Sequence, residues 1–241
     1  MTQIGVITPV PDVITTLVRN SILRKAVNKG LVELHVFNLR DFATGTYRQI
    51  DDTPYGGGAG MVLMAEPLFK AISACKSAMT FGKEGRVMYP SPQGPVWSQD
   101  MAQKFSQVEQ LIFICGHYKG MDERVIEHCV TDEFSLGDYV ISGGELAAMV
   151  MIDSMVRLLP GVLNRIDSAE TDSFPTGLLD CPYYTKPRSL NGMDVPDVLL
   201  SGHHGDIEKW RQEQRETRTK NRRPDLWKRF QKIKKDSENE S

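Results

Sequence analysis

Leu111-Ile112-Phe113-Ile114-Cys115-Gly116-His117-Tyr118-Lys119-Gly120 reads as a strand that runs directly into a glycine-punctuated loop. Two other strand candidates end the same way. Val87-Met88-Tyr89 runs into Pro90-Ser91-Pro92-Gln93-Gly94, and Phe134-Ser135-Leu136 leads into Gly137-Asp138-Tyr139-Val140-Ile141-Ser142-Gly143-Gly144. In an open α/β sheet, ligands bind outside the carboxyl ends of the strands. Glycines there let backbone amides and carbonyls approach a ligand closely. One such loop carries little weight; three point to a pocket for a flat, polar small molecule read largely by backbone.

Outward from these loops, strands and helical stretches alternate. Ile4-Gly5-Val6-Ile7 and Leu31-Val32-Glu33-Leu34-His35-Val36-Phe37 read as strands. Val13, Leu17, Ile22 and Val27 fall near a helical repeat over 13–29, with Gly30 as the stop. Helices are expected over Pro67–Ala78, Ser98–Phe105, Glu123–His128 and Glu145–Leu159. The fold class is α/β with a mostly parallel sheet. After Pro160-Gly161 the character changes. The expected division is an α/β domain over 1–162, a polar linker over 163–176 and a helical, basic domain over 177–241, with a helix from about Asp206 and a fraying tail from Asp236.

The balance of 40% hydrophobic and 25% charged residues in 241 excludes a disordered or collagenous chain. The start, Met1-Thr2-Gln3-Ile4-Gly5-Val6, lacks the basic and long apolar runs of a signal peptide. The stretch Leu146–Leu163 contains Asp153 and Arg157 and does not read as membrane-spanning. Cys75, Cys115, Cys129 and Cys181 lie far apart, which favours reduced thiols in a cytoplasmic protein.

The net charge of −2 hides an asymmetry, because Lys209–Lys235 carries +9 against −11 elsewhere. Such a segment fits a polyanion, and equally a solvated helix face. Arg215, Arg218, Arg222 and Arg223 are its candidate phosphate contacts. GxGxxG fails at Met61, and GxxxxGK[ST], HExxH and GxSxG are absent, which argues against a dehydrogenase, P-loop NTPase, zinc protease or serine hydrolase.

Pro54-Tyr55-Gly56-Gly57-Gly58-Ala59-Gly60-Met61, Ser91-Pro92-Gln93-Gly94, Gly137–Leu146, Arg157-Leu158-Leu159-Pro160-Gly161-Val162, Asp172-Ser173-Phe174, Gly177–Pro182 and Ser201-Gly202-His203-His204 together resemble the bacterial tRNA (guanine-N1)-methyltransferase family of the knotted SPOUT superfamily. The resemblance covers nearly the whole chain in order. It implies a trefoil-knotted methyltransferase domain and an obligate homodimer, with the active site between one subunit's knotted domain and the other's C-terminal domain. It further implies transfer of a methyl group from S-adenosylmethionine to N1 of guanosine 37, immediately 3′ of the anticodon in tRNA. By motif, the donor meets Tyr89, Pro90, Ser91, Pro92 and Gly94. It also meets Gly116, Tyr118 and Gly120, then Leu136, Gly137, Asp138, Tyr139, Val140 and Ile141 with Gly143 and Gly144. The Gly56–Gly60 loop is left open between an RNA or dimer contact and a tight bend.

Guanine N1 carries a proton and is a poor nucleophile, so a carboxylate near N1 and a cation near O6 are needed. By family position Asp172 is the base and Arg157 the O6 partner, and Asp180 is an RNA-contacting or supporting carboxylate. Read without the resemblance, Asp172 is a linker cap and Arg157 a helix salt bridge. The chain departs from the commoner family pattern at His117, Lys119 and Ala147, where arginine, glutamate and proline are frequent. Lysine at 119 reverses the charge of a position that the resemblance ties to the methionine end of the donor and to magnesium dependence. The need for Mg2+ is therefore open, and Lys119 is left to pair with the donor carboxylate or an RNA phosphate. Rival readings are a non-catalytic RNA binder, a metal hydrolase built on His203 and His204, and a ribose 2′-O-methyltransferase. Donor binding and the position of the transferred methyl separate them.

Overall fold

In the computed structural model, residues 1–19, 21–163 and 172–239 are described, and the greater part of the expected linker, 164–171, lies outside them. The chain falls into two compact units, Met1–Ile166 and Asp167–Ser241.

The first unit is built on a parallel five-stranded sheet ordered β2-β1-β6-β5-β7. Its strands are β1 (Thr2–Thr8), β2 (Val32–Asn38), β5 (Arg86–Pro90), β6 (Gln110–Ile114) and β7 (Asp132–Phe134); β3 (Asp51–Asp52) and β4 (Val62–Leu63) form a separate antiparallel pair. Successive side chains leave a strand on opposite faces, so a strand covered on both sides needs apolar residues at every position. Ile4, Val6, Met88, Leu111 and Phe113 enter one core with Leu23 and Ala26 of α2 (Ile22–Asn28), Ala102 and Phe105 of α4 (Gln99–Phe105), and Ala148, Met151, Ile152 and Met155 of α6 (Gly144–Val156). Ile7, Val87, Tyr89, Ile112 and Ile114 enter the other, against Leu68, Ala71, Ile72 and Cys75 of α3 (Ala65–Ala78) and Val125 of α5 (Glu123–Cys129). Helices thus cover both faces, and α6 is nearly all apolar because it is buried along most of its surface.

The helix expected over 13–29 is two, α1 (Pro11–Arg19) and α2, because Ser21 takes an extended backbone and starts a new helix. The helix expected to reach Leu159 ends at Val156, with Arg157 as its C-cap.

The second unit carries a β-hairpin, β8 (Ser189–Leu190) with β9 (Met193–Asp194), followed by α7 (His204–Arg222) and α8 (Pro224–Asn239). Asn191 and Gly192 supply the two positive φ angles, 55° and 77°, of its two-residue turn. The buried Thr219 hydroxyl accepts from the Leu179 amide at 2.8 Å and donates to the Arg215 carbonyl at 2.7 Å, tying the Pro-rich segment to α7. Trp227 and Phe230 stack at 5.6 Å, so these aromatics pack on each other. Where a fraying tail is expected from Asp236, α8 extends to Asn239, following the helix-favouring run Gln231–Lys235.

α3 lies close to β1 because residue 5 is glycine: a Cβ there would sit 2.3 Å from Cys75 Sγ and 2.9 Å from Met79 Sδ. Gly5→Val should destabilise the protein by about 1–3 kcal/mol through overpacking. An unchanged urea midpoint would show that α3 can retreat at no cost.

Candidate active site

The three strand-end loops close around a single cavity of about 560 Å³. That volume lies within the range of small-molecule sites. The first loop contributes Tyr89, Pro90, Ser91 and Pro92, the second Gly116, Tyr118 and Gly120, and the third Leu136, Gly137, Tyr139, Val140, Ile141, Gly143 and Gly144. Gly94 and Asp138, expected with them, are not in the wall. A Cβ at Gly94 would lie 2.5 Å from the Glu133 backbone, so this glycine lets the first loop pack against β7. Asp138 is exposed on the outside of the third loop. The wall also takes Gly60, Met61, His117, Lys119, Phe134, Ser135, Ser142 and Ala147.

Backbone hydrogen bonds fix the loops to one another. The Ser91 amide donates to the Phe134 carbonyl at 2.9 Å, and the Gly144 amide donates to the Gly116 carbonyl at 2.8 Å. A Cβ at Gly144 would stand 2.7 Å from Gly116 N, so the start of α6 can reach the second loop only without a side chain. Tyr118, at φ 60°, holds a left-handed conformation uncommon for a side-chain-bearing residue, which marks the second loop as constrained. The phenol of Tyr89, 7% exposed, is pushed up to about 12 by burial, with Glu133 and Glu123 adding to it, and stays protonated at neutral pH.

Beneath the wall sits a buried polar cluster. Glu145, 4% exposed, receives the Thr8 hydroxyl at 2.5 Å and faces His117 Nε2 at 2.8 Å from both carboxylate oxygens. Burial raises the Glu145 pKa, but the hydrogen bonds from His117 and Thr8 outweigh it and leave the carboxyl below its ordinary value. The cluster joins the end of β1, the second loop and α6.

The remaining candidates lie elsewhere. Arg157 caps the far end of α6 from Gly144, about 20 Å along a helix of this length. Burial raises the neighbouring Asp153 carboxyl while Arg157 draws it down, so the arginine also serves its own helix. Asp172 opens the described part of the second unit and is half-buried. Asp180 and Arg215 pair with each other at 3.4 Å, both largely covered, and Arg223 pairs with Asp225 at 2.7 Å. These contacts are internal to the second unit and occupy three of the five expected RNA contacts. Arg222 is exposed and Arg218 is half-buried. His203 and His204 are exposed at the start of α7.

The volume and glycine-rich lining of the cavity fit S-adenosylmethionine, and a Cβ at Gly116, Gly143 or Gly144 would collide with Tyr89, with Glu145 and His117, or with the Gly116 backbone, so these glycines let the loops pack as they do. The described wall residues do not fit magnesium: none of them is a carboxylate, and among the described residues no group of three or more His, Cys, Asp or Glu could hold a metal ion. No helix among the described residues is long and apolar enough to cross a membrane, and all four cysteines are free.

The profile of the family described as tRNA (guanine-1)-methyltransferase TrmD matches residues 2–229. Curated proteins similar to the chain carry the name tRNA (guanine-N(1)-)-methyltransferase. One from Brevibacillus brevis is 54% identical over 224 residues, 93% of this chain and 90% of the relative. One from Shouchella clausii is 52% identical over 236 residues, 98% and 96% of the two chains. One from Listeria monocytogenes is 49% identical over 228 residues, 95% and 93%.

Because its folded pKa is depressed, Glu145 contributes stability that is present above the ordinary glutamate range and lost as pH falls through the lower folded value. Glu145→Gln should therefore flatten the acid side of the stability–pH curve, as pH falls through the ordinary glutamate range and below it. Parallel curves for the two proteins in urea melts would show that the carboxylate is not stabilised by His117 and Thr8.

Proposed function

The chain belongs to the tRNA (guanine-1)-methyltransferase TrmD family, and from that premise we propose that it transfers a methyl group from S-adenosylmethionine to N1 of guanosine 37 in tRNA. The observation that carries the reading is the glycine-rich cavity at the carboxyl ends of β5, β6 and β7, in a chain of this family. The donor, held there, supplies an electrophilic methyl group. Tyr89 to Pro92, Gly116 to Gly120 and Leu136 to Gly144 hold it and keep water from its reactive carbon.

Asp172 takes the N1 proton as the methyl arrives, and Arg157 stabilises the charge that develops on O6. The guanine leaves the anticodon-loop stack to reach them. We assign a homodimer to complete the site, within a trefoil-knotted first unit. Two observations support the dimer. Arg157 lies a helix length from Gly144 within one chain, and Leu146 and Val150, one turn apart on an otherwise buried helix, are 55% and 50% exposed. The basic helices α7 and α8 bind the tRNA backbone.

Incubation with labelled S-adenosylmethionine and a tRNA transcript, followed by nuclease mapping, should place the label on the base of guanosine 37. Label on ribose, or none, would overturn the reading. Asp172→Asn should lower the rate by about a hundredfold or more while donor and tRNA still bind. Near-normal turnover at neutral pH would remove Asp172 as the base.

The salt bridges within the second unit choose the variant for the RNA prediction. Reversing Arg215 would break its pair with Asp180, whereas Lys220, Arg222 and Lys228 are exposed. Changing these three to Glu should weaken tRNA binding and flatten its salt dependence, since fewer counterions are released. Unchanged affinity would return α7 and α8 to solvated faces.

A further inference from the structure

We propose that Lys119 recognises the carboxylate of the donor's amino-acid part, and so selects the intact donor over adenosine fragments that lack it. The proposal rests on the donor-binding reading of the cavity. Among the described residues, His117 and Lys119 are the wall residues whose side chains can carry positive charge, and none of the described wall residues carries a negative one. His117 faces Glu145 at 2.8 Å, so its ring already has a partner within the protein. No salt bridge among the described residues involves Lys119. Among the described residues, the cavity therefore presents one cation that no carboxylate answers.

Its side chain is placed by the glycine-rich loop. Gly60 has φ 97°, and a Cβ built on it would lie 3.0 Å from Lys119 Cγ and 3.3 Å from Cε. The bare backbone of Gly60 is thus a groove along which the four-carbon stem lies, and the ammonium is one bond beyond, beside a residue of the cavity wall. The main chain is pinned as well: the Lys119 amide donates to the Met61 carbonyl at 3.0 Å, and the Gly120 amide donates to the His117 carbonyl at 3.0 Å. A long side chain held in this way loses less freedom when it pairs with a ligand. S-adenosylmethionine carries a sulfonium, an ammonium and a single carboxylate, and only the carboxylate seeks a cation. Lys119 shares its wall with the loops that hold the adenosine, which favours an anion on that same molecule over a phosphate of the RNA.

Calorimetry on the full chain with S-adenosylmethionine, S-adenosylhomocysteine and 5′-methylthioadenosine tests this. Lys119→Met should weaken the first two by about tenfold or more, the scale of a lost hydrogen bond between charged groups. Binding of 5′-methylthioadenosine, which has no amino-acid part, should not change, and Lys119→Arg should restore most of the loss. Equal weakening of all three ligands would make Lys119 a structural support and overturn the proposal. No weakening of any would also overturn it, and a fall in tRNA affinity with a flatter salt dependence would then name a phosphate as the partner. A wild-type chain that binds none of the three fails at the donor reading itself, before any variant is compared.

Discussion

The site depends on one approach of backbone to backbone, the Gly144 amide on the Gly116 carbonyl at 2.8 Å. It brings the third loop onto the second and sets where α6 begins. A side chain at 144 would collide with Gly116 N and Cys115 Cα at 2.7 and 2.9 Å. Neither neighbour is the flexible end of a side chain that could turn aside. Because α6 is buried along most of its length against the sheet, its start cannot shift without moving the core that Ala148, Met151, Ile152 and Met155 form with β1 and β6. The cavity is therefore as rigid as the core beneath it, which suits a site that recognises its ligand by fixed backbone groups.

The polar cluster under the wall follows from the same geometry. Where α6 starts, Glu145 is carried into the interior, and a buried carboxylate must be paired and hydrogen-bonded to stay charged. Thr8 arrives from the end of β1 and His117 from the second loop, so the pairing of one glutamate ties β1 to two elements that bound the cavity. A helix that is apolar nearly everywhere else tolerates this residue because both partners meet it at its first turn.

The legible part of this fold was its strands and their ends. Continuous apolar runs such as Leu111–Ile114 announce a strand covered on both sides, and the glycines after them announce close backbone approach. The break between α1 and α2 was not legible, because the periodicity of Val13, Leu17, Ile22 and Val27 runs across it and Ser21 alone marks it. Glu145 as a buried anchor was not legible either, since an acid in the first turn of a helix reads as an ordinary surface residue until its partners from β1 and the second loop are seen. Gly94 shows that one pattern can serve two uses. It belongs to the same glycine-rich pattern as its neighbours, yet its missing side chain serves packing against β7. Basic residues were legible as a segment and not as individuals, because Arg215 and Arg223 face acids that lie 35 and 2 residues away in the chain.

A glycine-rich pocket is selective for shape, and among the described residues this wall has no carboxylate to move a proton. The acid–base chemistry of the proposed reaction must then come from residues outside the three loops, as the assignment of Asp172 and Arg157 requires. Separation has a physical consequence. Groups that are not part of the rigid cradle can be brought to it by the substrate RNA, so donor binding and the readiness of the base need not rise together. Lys119 sits between these two roles, in the wall yet charged, its stem laid on Gly60. It is the point at which a pocket otherwise read by dipoles meets a ligand through a full charge, and there a single substitution changes recognition without touching the cradle.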